Sequence, residues 1–127
     1  MITTTFDYQR AASIDDAIRK LQASGGRAKL VAGGHSLVPL MKLRLSEPGV
    51  LIDIARIPGL AGIRDTGGTI EIGAGTVHTD VAASALLQEK CPMIAGAAAR
   101  SAIRKCATAA RWAAAWRIRI RRPTTRQ

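Results

Sequence analysis

Two glycines, a histidine and a serine stand together in AGGHSL, residues 32–37, directly after the apolar run AKLV. Lacking side chains, Gly33 and Gly34 let backbone N–H groups approach an anion closely. A helix beginning just beyond them would add its own free N–H groups at the same place. Ser36 adds a hydroxyl donor. The set suits a diphosphate. It does not suit nucleophilic chemistry at Ser36, because no base and acid pair can be placed with that hydroxyl. A Gly-Gly pair after a strand is in most cases only a turn. The G-x-G-x-x-G spacing of a dinucleotide fingerprint is absent, and GAGT at residues 73–76 does not supply it.

The elements that would hold this loop can be read on either side of it. Ser13 is a good N-cap, with Asp15 and Asp16 in the first turn where the helix dipole favours acids. Ile14, Ala17, Ile18 and Leu21 then share one face, and Gly25-Gly26 ends the run, so a helix of about three turns is expected. AKLVAGG, residues 28–34, reads as a short strand entering the glycine turn, and SLVPLMKLRL, residues 36–45, as a short helix with Pro39 near its start. VLIDIARI, residues 50–57, is apolar and β-branched, a buried strand. Asp53 within it is expected to make a structural hydrogen bond.

Further on, LAGIRDTGGTIEIGAG, residues 60–75, reads as two strands joined by a turn at Asp65–Gly68. Thr79 or Asp80 is positioned to cap a helix through VAASALLQEK, and MIAGAAAR, residues 93–100, begins another. This order of elements implies an α/β or α+β fold.

Charge divides the chain sharply. The 127 residues carry a net +10, yet residues 1–100 hold eleven Lys and Arg against nine Asp and Glu. Residues 101–127 hold eight against none. The body is thus near neutral, and the basic character belongs to the tail. No run of eighteen apolar residues exists, so no spanning helix is expected. The first residues lack the pattern of a secretory signal. Cys91 and Cys106 form neither a zinc pattern nor a disulfide framework, which places the chain in a reducing compartment, by default the cytoplasm. Met41 and Met93 read as core fillers.

The longer stretch LVAGGHSLVPLMKLRLSEPGVLIDIARIPGL, residues 30–60, is far more specific than its glycines. With FDYQRAASIDDAIRKL before it and IEIGAGTVHTDVAAS after it, in that order, it closely resembles the FAD-binding medium subunit of molybdenum hydroxylases. That group includes aerobic carbon monoxide dehydrogenase and xanthine dehydrogenase. The resemblance runs from residue 6 to about 100. It implies an α+β fold, an incomplete two-lobed FAD-binding domain of the vanillyl-alcohol oxidase / p-cresol methylhydroxylase type. The first lobe would be residues 1–56, the start of the second 57–100, and the basic tail 101–127. It also implies that Ala32, Gly33, Gly34, His35, Ser36 and Leu37 contact the FAD diphosphate, and that Thr76 and His78 lie on the flavin side. From the residues alone, His35 remains open to a loop role and His78 to a structural one. The implied partners are a molybdopterin-binding large subunit and a 2Fe-2S small subunit, with electrons relayed from iron–sulfur centres through FAD to an acceptor. No catalytic or metal-ligating residue is expected on this chain.

Relatives of this kind continue with a second glycine-rich motif of the type V-R-N-R-G-T-I-G-G-S-L-A-H. Here SAIRKCATAARWAAAWRIRIRRPTTRQ stands in its place. Read one base earlier, with permitted codons, residues 100 onward give I-G-D-P-Q-V-R-N-R-G-T-(M/L/V)-G-G-S-L-A-H. For example, Arg100–Ile103 as CGA TCG GCG ATC contains ATC GGC GAT. The expectation is therefore an out-of-frame tail, irregular or disordered, and FAD binding weakened by loss of the second motif. The rival reading is a small binding protein whose cationic tail engages nucleic acid or an anionic membrane. The Arg and Trp residues there would support non-specific phosphate binding and stacking, but they match no specific nucleic-acid module.

Overall fold

In the computed structural model of the protein, the described residues are 3–101 and 118–121. Two compact units divide at Pro58/Gly59. Helices and strands are mixed in each.

The first unit is built on three parallel strands in the order β1-β3-β2. They are β1 (Asp7–Arg10), β2 (Ala28–Val31) and β3 (Val50–Asp53). The central strand pairs with both neighbours in one register, so Arg10, Val31 and Asp53 lie level at the strands' C-terminal end. Leu51 and Ile52 of β3 are buried, as a central apolar strand should be. VLIDIARI was expected to be strand throughout, but β3 stops at Asp53. The Asp53 carboxylate accepts from the Ala55 N–H at 2.8 Å, and that local bond turns the chain.

Helix α1 (Ile14–Ala23) joins β1 to β2. Ser13 Oγ caps it, accepting from Asp16 N–H at 3.1 Å. Asp16 reaches back to Ala12 N–H at 3.0 Å, a reciprocal arrangement close to a capping box. Its carboxylate also meets Lys20 Nζ at 2.8 Å, one turn on. That contact above all, then the Ala12 N–H, holds its pKa below the ordinary carboxylate value. The apolar face expected at Ile14, Ala17, Ile18 and Leu21 exists, but only Ala17 is buried. The other three are about half-exposed. Helix α2 (Leu37–Lys42) is short, with Pro39 in its first turn and Met41 buried.

The second unit opens with a hairpin, β4 (Ile63–Asp65) and β5 (Thr69–Ile72), turning over residues 65–68 as expected. Of the tail, expected to be irregular, the described residues Ile118–Arg121 form a strand. Residues Ile118–Arg121, as β6, pair antiparallel with β5 and place Ile118 and Ile120 in register with Ile72 and Ile70. Alternation of IRIR at period two fits such a strand. The remainder of the tail lies outside the described residues, Cys106 included.

Three helices complete the unit: α3 (His78–Ala83), α4 (Ala85–Lys90) and α5 (Pro92–Ser101). The sequence predicted one helix through VAASALLQEK capped by Thr79 or Asp80. The structure starts it at His78, after Val77, and breaks it at Ser84. Ser84 takes an extended backbone, and its Oγ accepts from Leu87 N–H to start α4. Ile70, Ile72, Val81, Leu87, Ala95 and Ala98 form the core of this unit.

Candidate functional site

Gly33 and Gly34 leave the C-terminal end of β2, an end where open parallel sheets bind ligands. Gly34 holds φ at 75°, where a side chain is strained, and a Cβ on it would sit 3.1 Å from Val38 Cγ2. The loop is closed from below by Val38 N–H, which donates to Gly34 O at 2.9 Å. Ser36 precedes α2 without capping it, so its hydroxyl is uncommitted there. Among the described residues, no N–H from Gly33 to Leu37 donates to the loop, turn and cap bonds. His35 and Ser36 are exposed, while Ala32, Gly33, Gly34 and Leu37 are partly buried. Of the six residues named from the sequence, Ala32–Ser36 form one continuous loop and Leu37 opens α2, with the N–H groups of Gly33–Leu37 uncommitted. Its chemistry is that of an anion cradle.

Asp53 stands level with Val31, at the same edge of the sheet. Its carboxylate accepts the Tyr8 hydroxyl as well as Ala55 N–H, and its carbonyl accepts Ala11 N–H at 2.9 Å. The expected structural bond is present, and Asp53 joins β1 to the end of β3. Tyr8 escaped sequence reading because nothing local marks a partner 45 residues away. The hydrogen bond to Asp53 is the main cause raising the Tyr8 pKa above its ordinary 10.0.

Thr76 and His78 belong to the second unit. Thr76 is 1% exposed. Its Oγ1 accepts from Gly62 N–H at 2.9 Å and donates to Gly62 O at 3.2 Å. A hydroxyl spent twice on the backbone can serve a cofactor only by positioning the turn it holds. Around it, Gly73 N–H donates to Gly62 O and Gly75 N–H to Leu60 O, each at 2.8 Å. A Cβ on Gly73 would lie 2.4 Å from Leu60 O, so this turn admits no side chain there. His78 opens α3 and is half-buried.

A match to the FAD binding domain in molybdopterin dehydrogenase spans residues 4–121. The chain belongs to that family. It is 49% identical over 98 residues to the carbon monoxide dehydrogenase medium chain of Hydrogenophaga pseudoflava, covering 77% of this chain and 34% of the relative. It is 46% identical over 95 residues to the 6-hydroxypseudooxynicotine dehydrogenase complex subunit alpha of Paenarthrobacter nicotinovorans, covering 75% and 32%. A solved structure of the Hydrogenophaga pseudoflava carbon monoxide dehydrogenase, lacking the Mo-pyranopterin moiety of its cofactor, matches with a TM-score of 0.86. That match is 43% identical over 90% of this chain and 40% of that one. Quinoline 2-oxidoreductase from Pseudomonas putida 86 matches with a TM-score of 0.82 at 26% identity, over 87% and 39%. The chain thus spans about a third of the length of the curated relatives it matches. Among its described residues no helix is long and apolar enough to cross a membrane.

Proposed function

We propose that this member of the molybdopterin dehydrogenase FAD-binding family serves as part of the flavoprotein subunit of a molybdenum hydroxylase. The observation that carries the reading is the Ala32–Leu37 loop, with uncommitted N–H groups at the C-terminal end of a parallel strand. Its donor set fits a diphosphate. Gly33, Gly34, His35 and Ser36 would hold that group through backbone N–H, with the Ser36 hydroxyl beside them, and Gly34 keeps the approach clear. Thr76 contributes through the turn it fixes, and His78 through its place at the start of α3. The fold type would be the two-lobed one shared with vanillyl-alcohol oxidase and p-cresol methylhydroxylase.

Bound FAD would supply reversible electron transfer between an iron–sulfur partner and an external acceptor. The chain's own residues bind and orient it. The partners would be a molybdopterin-binding large subunit and a 2Fe-2S small subunit, in the cytoplasm. Likeness to chains whose names specify one subunit of a dehydrogenase supports the expectation of partner subunits. The test is an FAD titration of the full chain, read by flavin fluorescence, beside Gly34→Asp. A carboxylate at the loop should weaken binding at least about tenfold through like-charge repulsion. No saturable binding by the unaltered chain, or equal binding by Gly34→Asp, rejects the site.

We also propose that residues 101–127 are translated out of frame. Support comes from the hidden G-G-S-L-A-H string, the +8 charge confined to the tail, and identity to curated relatives over 94–98 residues. The pairing of β6 with β5, and a family match that reaches Arg121, weigh on the other side, for a tail in its proper frame, as the rival of a cationic arm for nucleic acid or an anionic membrane also requires. An independent DNA read from the Met93 codon onward decides. One base restored near Arg100, opening the frame, establishes the first reading. An unchanged read with no family sequence in any frame establishes the second.

A further inference from the structure

The sheet of the first unit is closed differently at its two ends. Away from the glycine loop, backbone groups close it: Asp7 N–H donates to Gly49 O and Gly49 N–H to Arg27 O, each at 2.9 Å. Beside the loop, side chains take part. Lys20 Nζ of α1 donates to Arg10 O at 2.6 Å, at the end of β1. Asp53, at the end of β3, takes the Tyr8 hydroxyl on one carboxylate oxygen and the Ala55 N–H on the other. A carboxylate in an apolar strand costs free energy unless its oxygens are engaged, and here both are.

The turn that Asp53 makes has a second anchor. Ile54 N–H, between Asp53 and Ala55, donates to Val31 O at 2.9 Å. Val31 is the last residue of β2, and the chain passes from it directly into Ala32, Gly33 and Gly34. Hydrogen bonds therefore run in sequence from Tyr8 through Asp53 and Ile54 to the start of the loop. On its far side the loop is fixed by Val38 N–H on Gly34 O and by the burial of Met41. Glycines between such anchors have wide conformational freedom, and the anchors are what limit it. A loop left loose at one end must be ordered when an anion binds, and affinity falls by that cost.

We propose that Asp53, with Tyr8 as its partner, is a positioning residue for the glycine loop. It holds Val31, and so presents the N–H groups of Gly33, Gly34 and His35 as a preformed set. Asp53 acts through the backbone of β2, as supporting groups around a binding site do. The ligand is that of the proposed diphosphate site, and the assignment rests on that reading.

The experiment follows the backbone amide resonances of the isotopically labelled full chain by NMR, free and during titration with FAD. Reading at Gly33–Leu37 keeps attraction of FAD to the basic tail out of the measurement. Asp53→Ala removes both carboxylate contacts. Asp53→Asn keeps them, since its carbonyl oxygen accepts from Ala55 N–H and its amide donates to the Tyr8 oxygen. Tyr8→Phe removes one, at a residue 55% exposed and outside the core. In the free chain Asp53→Ala should shift the loop amides, while Ala28 and Val50 at the opposite end of the sheet keep theirs. FAD affinity should fall on the order of tenfold, the scale on which outer-shell partners act at metal sites. Tyr8→Phe should show a smaller fall, and Asp53→Asn should recover most of it. Loop amides that stay in place in Asp53→Ala, or an unaltered affinity, overturn the proposal. So does Asp53→Asn behaving as Asp53→Ala. Movement of Ala28 and Val50 as large as that of the loop also overturns it, because the effect is then a loosening of the whole sheet. If Asp53→Ala does not fold, Tyr8→Phe decides by the same amides. If FAD moves no loop amide in the unaltered chain while the variants still displace the free loop, the diphosphate reading fails and Asp53 remains the support of the loop.

Discussion

Tyr8 and Asp53 show how much one side-chain pair can join. The hydroxyl bonds a carboxylate that also turns the chain at Ala55, so three points of the first unit meet in one group. Because the Tyr8 pKa is raised by that bond, the neutral phenol is the form the fold favours. Its contribution is fully present below the ordinary tyrosine value and is lost as pH rises through the raised one. Melting temperature followed from pH 9 to 12, units of pH around the ordinary tyrosine value, should therefore fall more steeply for the unaltered chain than for Tyr8→Phe. Parallel curves would show the bond to be energetically idle. Arg44 makes the opposite prediction. Arg44→Gly relieves a left-handed side chain at a helix end and should stabilise the fold by about 1 kcal/mol in urea unfolding. A loss of stability would mean the guanidinium has a partner worth more than the strain.

Elements were legible where local chemistry alone decides them. Ser13 with Asp15 and Asp16, and the glycines at 25–26, mark both ends of α1, and the Asp65–Gly68 turn marks the hairpin. The Ala32–Leu37 loop could be read because glycine, serine and the preceding strand each carry their own signal. Ser84 could not be read. A serine inside a helical pattern breaks it only when its hydroxyl captures the next helix's N–H, and tertiary packing chooses that. The stripe on α1 meets a related limit: periodicity shows a face, but not whether anything lies against it, and Ile14, Ile18 and Leu21 stay exposed. The closeness of Gly73 to Leu60 was equally silent, since only spatial proximity reveals it. It yields a paired test. Gly73→Ala should destabilise by about 2 kcal/mol, because Leu60 O blocks the new methyl. Gly96→Ala, mid-helix with open space around it, should stabilise by roughly 0.5–1 kcal/mol. Thermal denaturation of both variants in one buffer reads the contrast directly.

For the whole molecule, charge is the property most easily misread. A net +10 suggests polyanion binding, yet the first hundred residues carry only a slight excess of positive charge. A chain truncated after Arg100 should lose retention on heparin and elute at low salt, since cationic side chains set that interaction. Undiminished retention would place the polyanion-binding surface on the body. Truncation also removes β6, so β5 loses a paired neighbour, and the shortened chain should unfold at lower denaturant.

The strand order of the first unit has a consequence in time. β1 and β2 never pair with each other; both wait for β3, which lies between them. During synthesis at roughly 5–20 residues per second, the first strand emerges some seconds before the strand that receives it. Through that interval the regular structure open to the chain is helical, above all α1, whose cap and ion pair are all local. The sheet end beside the glycine loop therefore comes into being in one step, when Val50–Asp53 pairs with two segments that become strands only then.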